Sequence, residues 1–367
     1  MIGGGHRRSD MLRGPRIPDD VLRALPKTDL LCHLDGSLRL GTFRELAVAR
    51  GTDVPADDGA ALRRFFPVDH ESCQQHFAGF FEHTTAVMQT PASLTRVARE
   101  LALDEAAQGC WYLEVRFCPL RHQQDGMTLD ETVAAVRAGL AEAERECGIR
   151  TGIIITGIRT ISPELSLRLA ELAVRWKGRG VVAFDLAGRE KDYPAKLHRE
   201  AFYYIMNHNM CSTIHAGESF GPESIHQALH YCGANRIGHG TRLNEDPDLL
   251  AYVNDLRIPL EMSLSSNMLT GVVPSLAEHP LRRYLDLGLR VTLNTDNTLF
   301  ARTSLCRELR LAVDTFDLNL LETETLMLNG IKSAFLPQGE KADLIREAVT
   351  TVVSLRDKFA LDEMGIA

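Results

Sequence analysis

The 367-residue chain has no apolar run long enough to cross a membrane, and no basic block longer than Arg7-Arg8. A transmembrane helix needs about 20 consecutive apolar residues, so the pattern predicts no membrane span. Binding to nucleic-acid phosphates needs clustered lysines and arginines, whereas this chain carries a net charge of −8. Both absences argue against nucleic acid and membrane as partners, and they favour a small molecule.

Paired cysteines are also missing. The eight cysteines include no Cys-x-x-Cys pair, the spacing typical of zinc ribbons and thiol oxidoreductases. Several lie inside apolar runs, which predicts reduced, buried thiols in a cytoplasmic protein. Residues 1–17 are rich in Gly and Arg and lack the apolar core of a secretory signal. We therefore expect a disordered leader over residues 1–17 and a single domain over residues 18–367.

The chain does contain a regular alternation of short apolar runs and helical patterns. The runs are continuously apolar and occupy Thr28–His33, Trp111–Phe117, Gly152–Gly157, Val181–Leu186, Cys211–His215, Arg236–Gly238, Ile258–Ser263 and Arg290–Asn294. Such runs are typical of strands buried on both faces of a parallel sheet. Between the runs, helical periodicity predicts helices over Leu129–Cys147, Pro163–Trp176 and Pro222–Tyr231.

About eight strands that alternate with helices indicate an α/β fold, either a (β/α)₈ barrel of the TIM type or a doubly wound open sheet. In a barrel the carboxyl ends of all strands converge on one mouth, whereas an open sheet spreads them along an edge. Polar residues of chemical interest fall at or just after the ends of the runs, namely His33, Gly188, His215, Glu218, His239, Ser265 and Asp296. We therefore predict the barrel.

The segment from residue 40 to residue 104 is too long for a simple connection between a strand and a helix. It carries aromatic clusters on a helical background, Phe65-Phe66-Pro67, Phe77 and Phe80-Phe81. We predict extra helices that lie over the barrel mouth as an apolar lid. The alternative is ordinary packing of these helices on the barrel.

Two neighbouring strand ends carry residues suited to metal chemistry. The run Thr213-Ile214 leads into His215-Ala216-Gly217-Glu218, and the next run ends at His239. Neutral imidazole is a common zinc ligand, and a nearby glutamate that is not a ligand can transfer protons. A single histidine at a strand end is more often structural. The combination of His215, Glu218 and His239 favours chemistry.

Taken in order, the motifs resemble those of the adenosine deaminase family of metal-dependent hydrolases. In that family they read P-K-x-E-L-H-x-H-L-D-G, D-L-A-G, H-A-G-E, R-I-G-H-G, S-N and T-D-D. The matching stretches here are Pro26–Ser37, Phe184–Gly188, His215–Glu218, Arg236–Gly240, Leu264–Asn267 and Val291–Asn297. The resemblance covers residues 25 to 335, and it implies hydrolytic deamination of a 6-aminopurine nucleoside on one zinc ion per chain.

The resemblance also implies a role for each matching residue. The metal ligands would be His33, His215 and Asp296. Glu218 would be the general acid and base that protonates purine N1, and His239 would orient the attacking hydroxide and stabilise the tetrahedral intermediate. For the substrate, the Gly188 N–H would bind N3, Asp35 would reach the ribose, and Asn297 would bind N7.

One position departs from the family pattern at the metal. Leu31 stands where the family has the first histidine of its H-x-H pair. Residues two apart on a strand share a face, so that pair offers two imidazoles to one ion, whereas leucine has no donor atom. Cys32 points to the other face and replaces the ligand only if the strand slips. Two histidines and one aspartate remain, and we expect weakened zinc binding with reduced occupancy.

The second departure is at the base-binding position. Asn297 stands where the family usually has the second aspartate of T-D-D. Purine N7 is an acceptor, so an aspartate must be protonated to donate to it, whereas an asparagine amide donates at any pH. Asn297 is therefore chemically competent, and it is compatible with a shifted base preference.

The leading interpretation is a cytoplasmic aminohydrolase of purine metabolism that acts on adenosine or 2′-deoxyadenosine. Alternatives within the class are an aminodeoxyfutalosine-type nucleoside and free adenine. AMP is less favoured, because the basic residues near the mouth are scattered arginines such as Arg39 and Arg302. An alternative from another class is a homologue that binds a purine nucleoside without turning it over. Leu31 is the feature that favours this alternative.

Overall fold

Eight parallel strands form the centre of the protein in the computed structural model, which describes residues 16–52, 79–359 and 361. The strands are β1 Lys27–His33, β2 Cys110–Phe117, β3 Arg150–Ile158, β4 Val181–Ala187, β5 Cys211–Ala216, β6 Arg236–His239, β7 Leu260–Met262 and β8 Val291–Leu293. Each pairs with the next in chain order. Beyond the end of β8, the His33 N–H donates to the Asp296 carbonyl at 2.7 Å, and the Asp296 N–H donates to the Leu31 carbonyl at 2.8 Å. These bonds join β1 to the chain after β8, and the predicted barrel is confirmed.

Helices surround the strands, as the alternation of patterns predicts. Their bounds are α1 Asp19–Ala24, α2 Leu40–Arg50, α3 Pro91–Ala107, α4 Leu129–Cys147, α5 Pro163–Arg175, α6 Arg199–Asn207, α7 Pro222–His230, α8 Pro247–Asp255, α9 Leu264–Leu269, α10 Leu281–Asp286, α11 Leu305–Phe316, α12 Leu320–Ser333 and α13 Gln338–Lys358. Residues 79–86 are also helical. Among the described helices, none is both long and apolar enough to cross a bilayer.

The barrel interior beneath the mouth contains paired charges. Arg116 on β2 donates from Nη2 to Oε2 of Glu261 on β7 at 2.8 Å. Arg236 on β6 donates from Nε to Oε1 of Glu261 at 2.5 Å, and it also pairs with Glu114 on β2. Strand β2 is not a neighbour of β6 or β7 in the sheet, so its side chains meet theirs across the interior. Charges buried this deeply require partners, because removing an ion from water is costly.

The apolar core lies mainly between the strands and the surrounding helices. One large cluster of buried apolar residues spans most of the barrel, and a smaller one groups Leu30, Tyr112, Ile331, Ala334, Leu344 and Ala348. Burial of both sheet faces explains why the strands read as continuous apolar runs.

The predicted lid is only partly within the described residues. Residues 53–78 lie outside them, and with them the clusters at Phe65-Phe66-Pro67 and Phe77. In the described part, Phe80 packs on Phe300, which follows β8, with ring centroids 4.8 Å apart. Phe81 lies 5.8 Å from the same ring. The lid stays a prediction, as does the leader at residues 1–17, most of which is outside the described residues.

Candidate active site

Three predicted ligands converge at the carboxyl end of the barrel. His33 ends β1, His215 lies near the end of β5, and Asp296 follows β8. The two histidine Nε2 atoms are 3.0 Å apart, and His33 Nε2 is 3.5 Å from Asp296 Oδ1. The three donor atoms lie within 4.8 Å of one another. Two imidazoles and a carboxylate facing one point fit a catalytic zinc site, which in general takes three protein ligands and leaves one position open.

The protonation of two of these ligands, His33 and Asp296, also fits a metal. Burial lowers the pKa of His33 to about 3, so its ring is neutral and has a lone pair to donate. Burial raises the pKa of Asp296, but the nearby histidines lower it by a larger amount. The net pKa is therefore below its ordinary value. The carboxylate is therefore the stable form.

Two further side chains orient the ligands. The Asp185 carboxylate, at the end of β4, lies 3.1 Å from His215 Nδ1. With Nδ1–H donating to Asp185, His215 Nε2 is left with a lone pair that faces His33. Ser266 donates to Asp296 Oδ2 at 2.6 Å, which leaves Oδ1 toward His33. Both residues lie in motifs visible in the sequence, but their roles depend on contacts with distant residues.

Leu31 is fully buried and belongs to neither apolar cluster, whereas its neighbours Leu30 and Cys32 each belong to one. We infer that its side chain faces the barrel interior, on the same side as His33. The pairing of β1 with β2 shifts register between Asp29 and Cys32. Even so, the Cys32 thiol packs in the core and donates to Ser37 Oγ at 3.6 Å. Among the described residues, Cys32 is not part of the group that could hold a metal.

Glu218 and His239 lie beside the ligands. Glu218 Oε2 is 3.7 Å from His239 Nε2, and the His239 ring lies 5.2 Å from the His215 ring between centroids. Burial raises the pKa of Glu218 above its ordinary value. A carboxyl group with a raised pKa is suited to carrying a proton.

Glu190 stabilises the turn that carries Glu218. It is not among the residues predicted from the sequence. Its carboxylate accepts hydrogen bonds from three consecutive backbone N–H groups, those of Gly217 at 2.9 Å, Glu218 at 2.9 Å and Ser219 at 2.8 Å. The side chain is buried, at 3% exposure. Its one sequence signal is its position, two residues after Gly188. A carboxylate is needed because it is a pure acceptor.

Replacing Glu190 by Gln should lower the free energy of unfolding by about 1–3 kcal/mol, because an amide NH₂ would meet a backbone N–H donor in a buried site. Denaturant unfolding of both proteins measures the change. The control is Glu200→Gln on α6, where the replaced side chain is 66% exposed and no effect is expected. A loss at Glu190 no larger than that of the control would contradict the assigned contacts.

The predicted substrate residues lie around the same mouth. Asp35 follows His33 and is buried, and burial raises its pKa to about 6. Among the described residues, Asp35 Oδ1 and Asn297 Oδ1 are buried atoms without a hydrogen-bond partner. Gly188 adopts φ +95°, and a Cβ there would lie 3.2 Å from Ile158 Cγ2. Two unpartnered polar atoms at one mouth indicate a polar ligand.

Arg39, one of the arginines noted in the sequence, is engaged in an ion pair. It donates to both oxygens of Asp104 on α3, at 2.8 and 2.6 Å. The charge of the Arg39 guanidinium is therefore balanced by a carboxylate in the protein.

Known proteins are similar to this chain over most of its length. Residues 26–351 match the family model described as "Adenosine deaminase". A protein named adenosine deaminase from Mycobacterium marinum is 41% identical over 348 residues, which are 90% of this chain and 96% of that protein.

Solved structures agree with this similarity. The adenine deaminase from Arthrobacter aurescens is 26% identical, has a TM-score of 0.82, and is matched over 89% of this chain and 99% of its own. The Arabidopsis protein ADAL, complexed with IMP, is 25% identical, with a TM-score of 0.81 and coverage of 91% and 98%. The similarity to these solved structures therefore includes the barrel fold.

Proposed function

The chain belongs to the adenosine deaminase family, and from this premise we propose that it is an aminohydrolase acting on adenosine and 2′-deoxyadenosine. Water replaces the 6-amino group, and the products are inosine or 2′-deoxyinosine and ammonia. The observation that carries the proposal is the convergence of His33, His215 and Asp296 with Glu218 at one barrel mouth. The donor set suits a metal-dependent hydrolysis, and the protonatable carboxyl group suits the proton transfers.

The family is metal-dependent, and we propose Zn²⁺ as the ion, one per chain, with His33, His215 and Asp296 as its protein ligands. When bound, zinc acts as a Lewis acid that lowers the pKa of a water molecule toward neutrality. With Leu31 in place of a fourth ligand, the site binds zinc more weakly and is occupied less fully.

Glu218 is the general acid and base. Its raised pKa allows it to hold a proton and deliver it to purine N1, which makes C6 more electrophilic. His239, 3.7 Å from Glu218, orients the attacking water. The Glu190 carboxylate keeps Glu218 in position by binding the backbone of its turn.

Three residues bind the rest of the substrate. The Gly188 N–H donates to N3, the Asn297 amide donates to N7, and Asp35 accepts from a ribose hydroxyl. The Asp35 carboxyl group favours an uncharged ribose end over a phosphate, because a second negative charge beside it would be repelled. This supports a nucleoside over AMP, and the 41% identity to a named adenosine deaminase supports it over adenine, whose named deaminase is 26% identical.

The zinc-loaded protein should release ammonia from adenosine and 2′-deoxyadenosine much faster than from adenine, AMP or a 5′-substituted nucleoside. Ammonia release and the ultraviolet change from adenosine to inosine measure turnover, and elemental analysis of the same sample measures zinc. A zinc-loaded protein that binds adenosine by calorimetry but releases no ammonia would instead be a purine-nucleoside-binding homologue. Faster release from another of these compounds would reassign the substrate.

We also propose that the enzyme works in the cytoplasm. All seven cysteines within the described residues are free thiols, and four of them are buried in the protein. A reducing compartment keeps such thiols unpaired.

A further inference from the structure

We propose that His279, which lies outside the substrate and metal positions, is a positioning residue that sets the tautomer of His239 through Asn267. The role assigned to His239 rests on the proposed function, whereas the hydrogen bonds that connect the three residues do not depend on it. His279, Asn267 and His239 are all buried, at 3%, 0% and 1% exposure. Each hydrogen bond in the chain restricts the next.

The first of these hydrogen bonds comes from a backbone N–H group. The Leu281 N–H, at the start of α10, donates to His279 Nδ1 at 3.2 Å. A backbone N–H can only donate, so Nδ1 must be the acceptor. Burial lowers the pKa of His279 to about 3, so its ring is neutral and carries one proton. That proton therefore lies on Nε2.

The second step fixes the amide of Asn267. His279 Nε2 lies 3.2 Å from Asn267 Oδ1, and Thr241 Oγ1 lies 2.9 Å from the same oxygen. The oxygen accepts from both groups. If the amide were rotated by half a turn, its NH₂ would meet the N–H of His279, and two donors would face each other in a buried site. The NH₂ group is therefore directed to the other side.

The third step reaches the active site. Asn267 Nδ2 lies 3.2 Å from His239 Nδ1, so Nδ1 must accept. The proton of a neutral His239 ring then lies on Nε2, which faces Glu218 Oε2 at 3.7 Å. His239 thus presents an N–H to the substrate side, and Glu218 presents the acceptor. Without these hydrogen bonds, His239 could present a lone pair to the substrate side and compete with Glu218 for a proton.

The test compares His279→Phe, which keeps a ring but removes both nitrogens, with His279→Gln, whose amide can donate to Asn267 and accept from Leu281. The tautomer of His239 is read by nitrogen NMR of the full chain with isotope-labelled histidine. Its signals are identified among those of the 13 histidines by their loss in His239→Ala. The control is His122→Phe, which removes another fully buried histidine.

We expect the Nε2–H tautomer of His239 in the wild type, in His279→Gln and in His122→Phe, and a mixture of tautomers in His279→Phe. For the zinc-loaded enzyme, His279→Phe should lower kcat by about 10- to 100-fold at nearly constant KM, less than the roughly 10⁴-fold cost of a fully wrong tautomer in a serine protease. His279→Gln should restore most of that loss.

An Nδ1–H tautomer in the wild type, or an unchanged tautomer in His279→Phe, would overturn the proposal. If His279→Phe does not fold, Asn267→Asp gives an independent reading, because a carboxylate accepts from His239 and should move the proton to Nδ1. An unchanged tautomer in that variant would equally overturn the proposal. NMR needs no turnover, so a protein that fails to deaminate adenosine but shows these tautomers would contradict only the proposed function.

Discussion

Replacing Glu218 by Gln should lower kcat for adenosine by about 10²–10⁴-fold, with little change in the affinity for inosine. The amide keeps the shape of the side chain and its contact with Thr270, at 3.4 Å from Oε1. It cannot accept and release a proton, so purine N1 stays unprotonated and C6 is a poorer electrophile. Steady-state kinetics on zinc-loaded protein and calorimetry with inosine measure the two effects.

The control for this experiment is again Glu200→Gln, which removes a carboxylate from an exposed position and should change neither quantity. Zinc content is measured for each sample, because a loss of metal would also lower kcat. Equal zinc content with full activity in Glu218→Gln would remove Glu218 from its role. A matching loss of inosine affinity would instead assign it to binding.

Replacing Leu31 by His should strengthen zinc binding about 100-fold. Four-ligand zinc sites bind with about 10–16 kcal/mol, so one ligand contributes about 3 kcal/mol, or roughly 100-fold in Kd. The inferred orientation of Leu31, on the same side of β1 as His33, sets the new imidazole beside the existing donors. Competition with a chromophoric chelator measures the zinc Kd after the metal is stripped and restored.

The control for the zinc experiment is Leu31→Met, which has a similar volume and no imidazole, and which should leave the zinc Kd nearly unchanged. Circular dichroism shows whether each variant keeps the fold. A folded Leu31→His protein with the wild-type Kd would mean that position 31 does not face the metal. Activity measured at saturating zinc then shows whether the missing ligand affects only occupancy or also turnover.

Local patterns predicted the elements well where local interactions define them. The helix at Leu129–Cys147 is observed with the predicted bounds, because the capping box of Thr128 and Glu131 starts it and Gly148, at φ +78°, ends it. The strand predicted at Ile258–Ser263 is only Leu260–Met262. Its ends depend on hydrogen bonds to neighbouring strands, and Ser263 already precedes α9.

The residues around the predicted site were harder to find. Asp185 and Ser266 lie in motifs that the sequence displays, but nothing local shows that they orient His215 and Asp296. Glu190 and His279 lie outside the assigned positions. Each acts through a hydrogen bond to a segment 12 or more residues away, and such contacts leave no periodic signal in one sequence.

The sequence by itself determined the chemistry available to this protein: two imidazoles and a carboxylate for a metal, a glutamate for protons, and a leucine where a further ligand was expected. Those properties follow from the identity of each side chain and do not depend on neighbouring residues. Only the tertiary structure decided that His33, His215 and Asp296 meet within 4.8 Å, and that the Cys32 thiol does not join them. Distances, burial and the direction of each hydrogen bond depend on segments brought together by the closed barrel, so proton positions and pKa shifts belong to the fold.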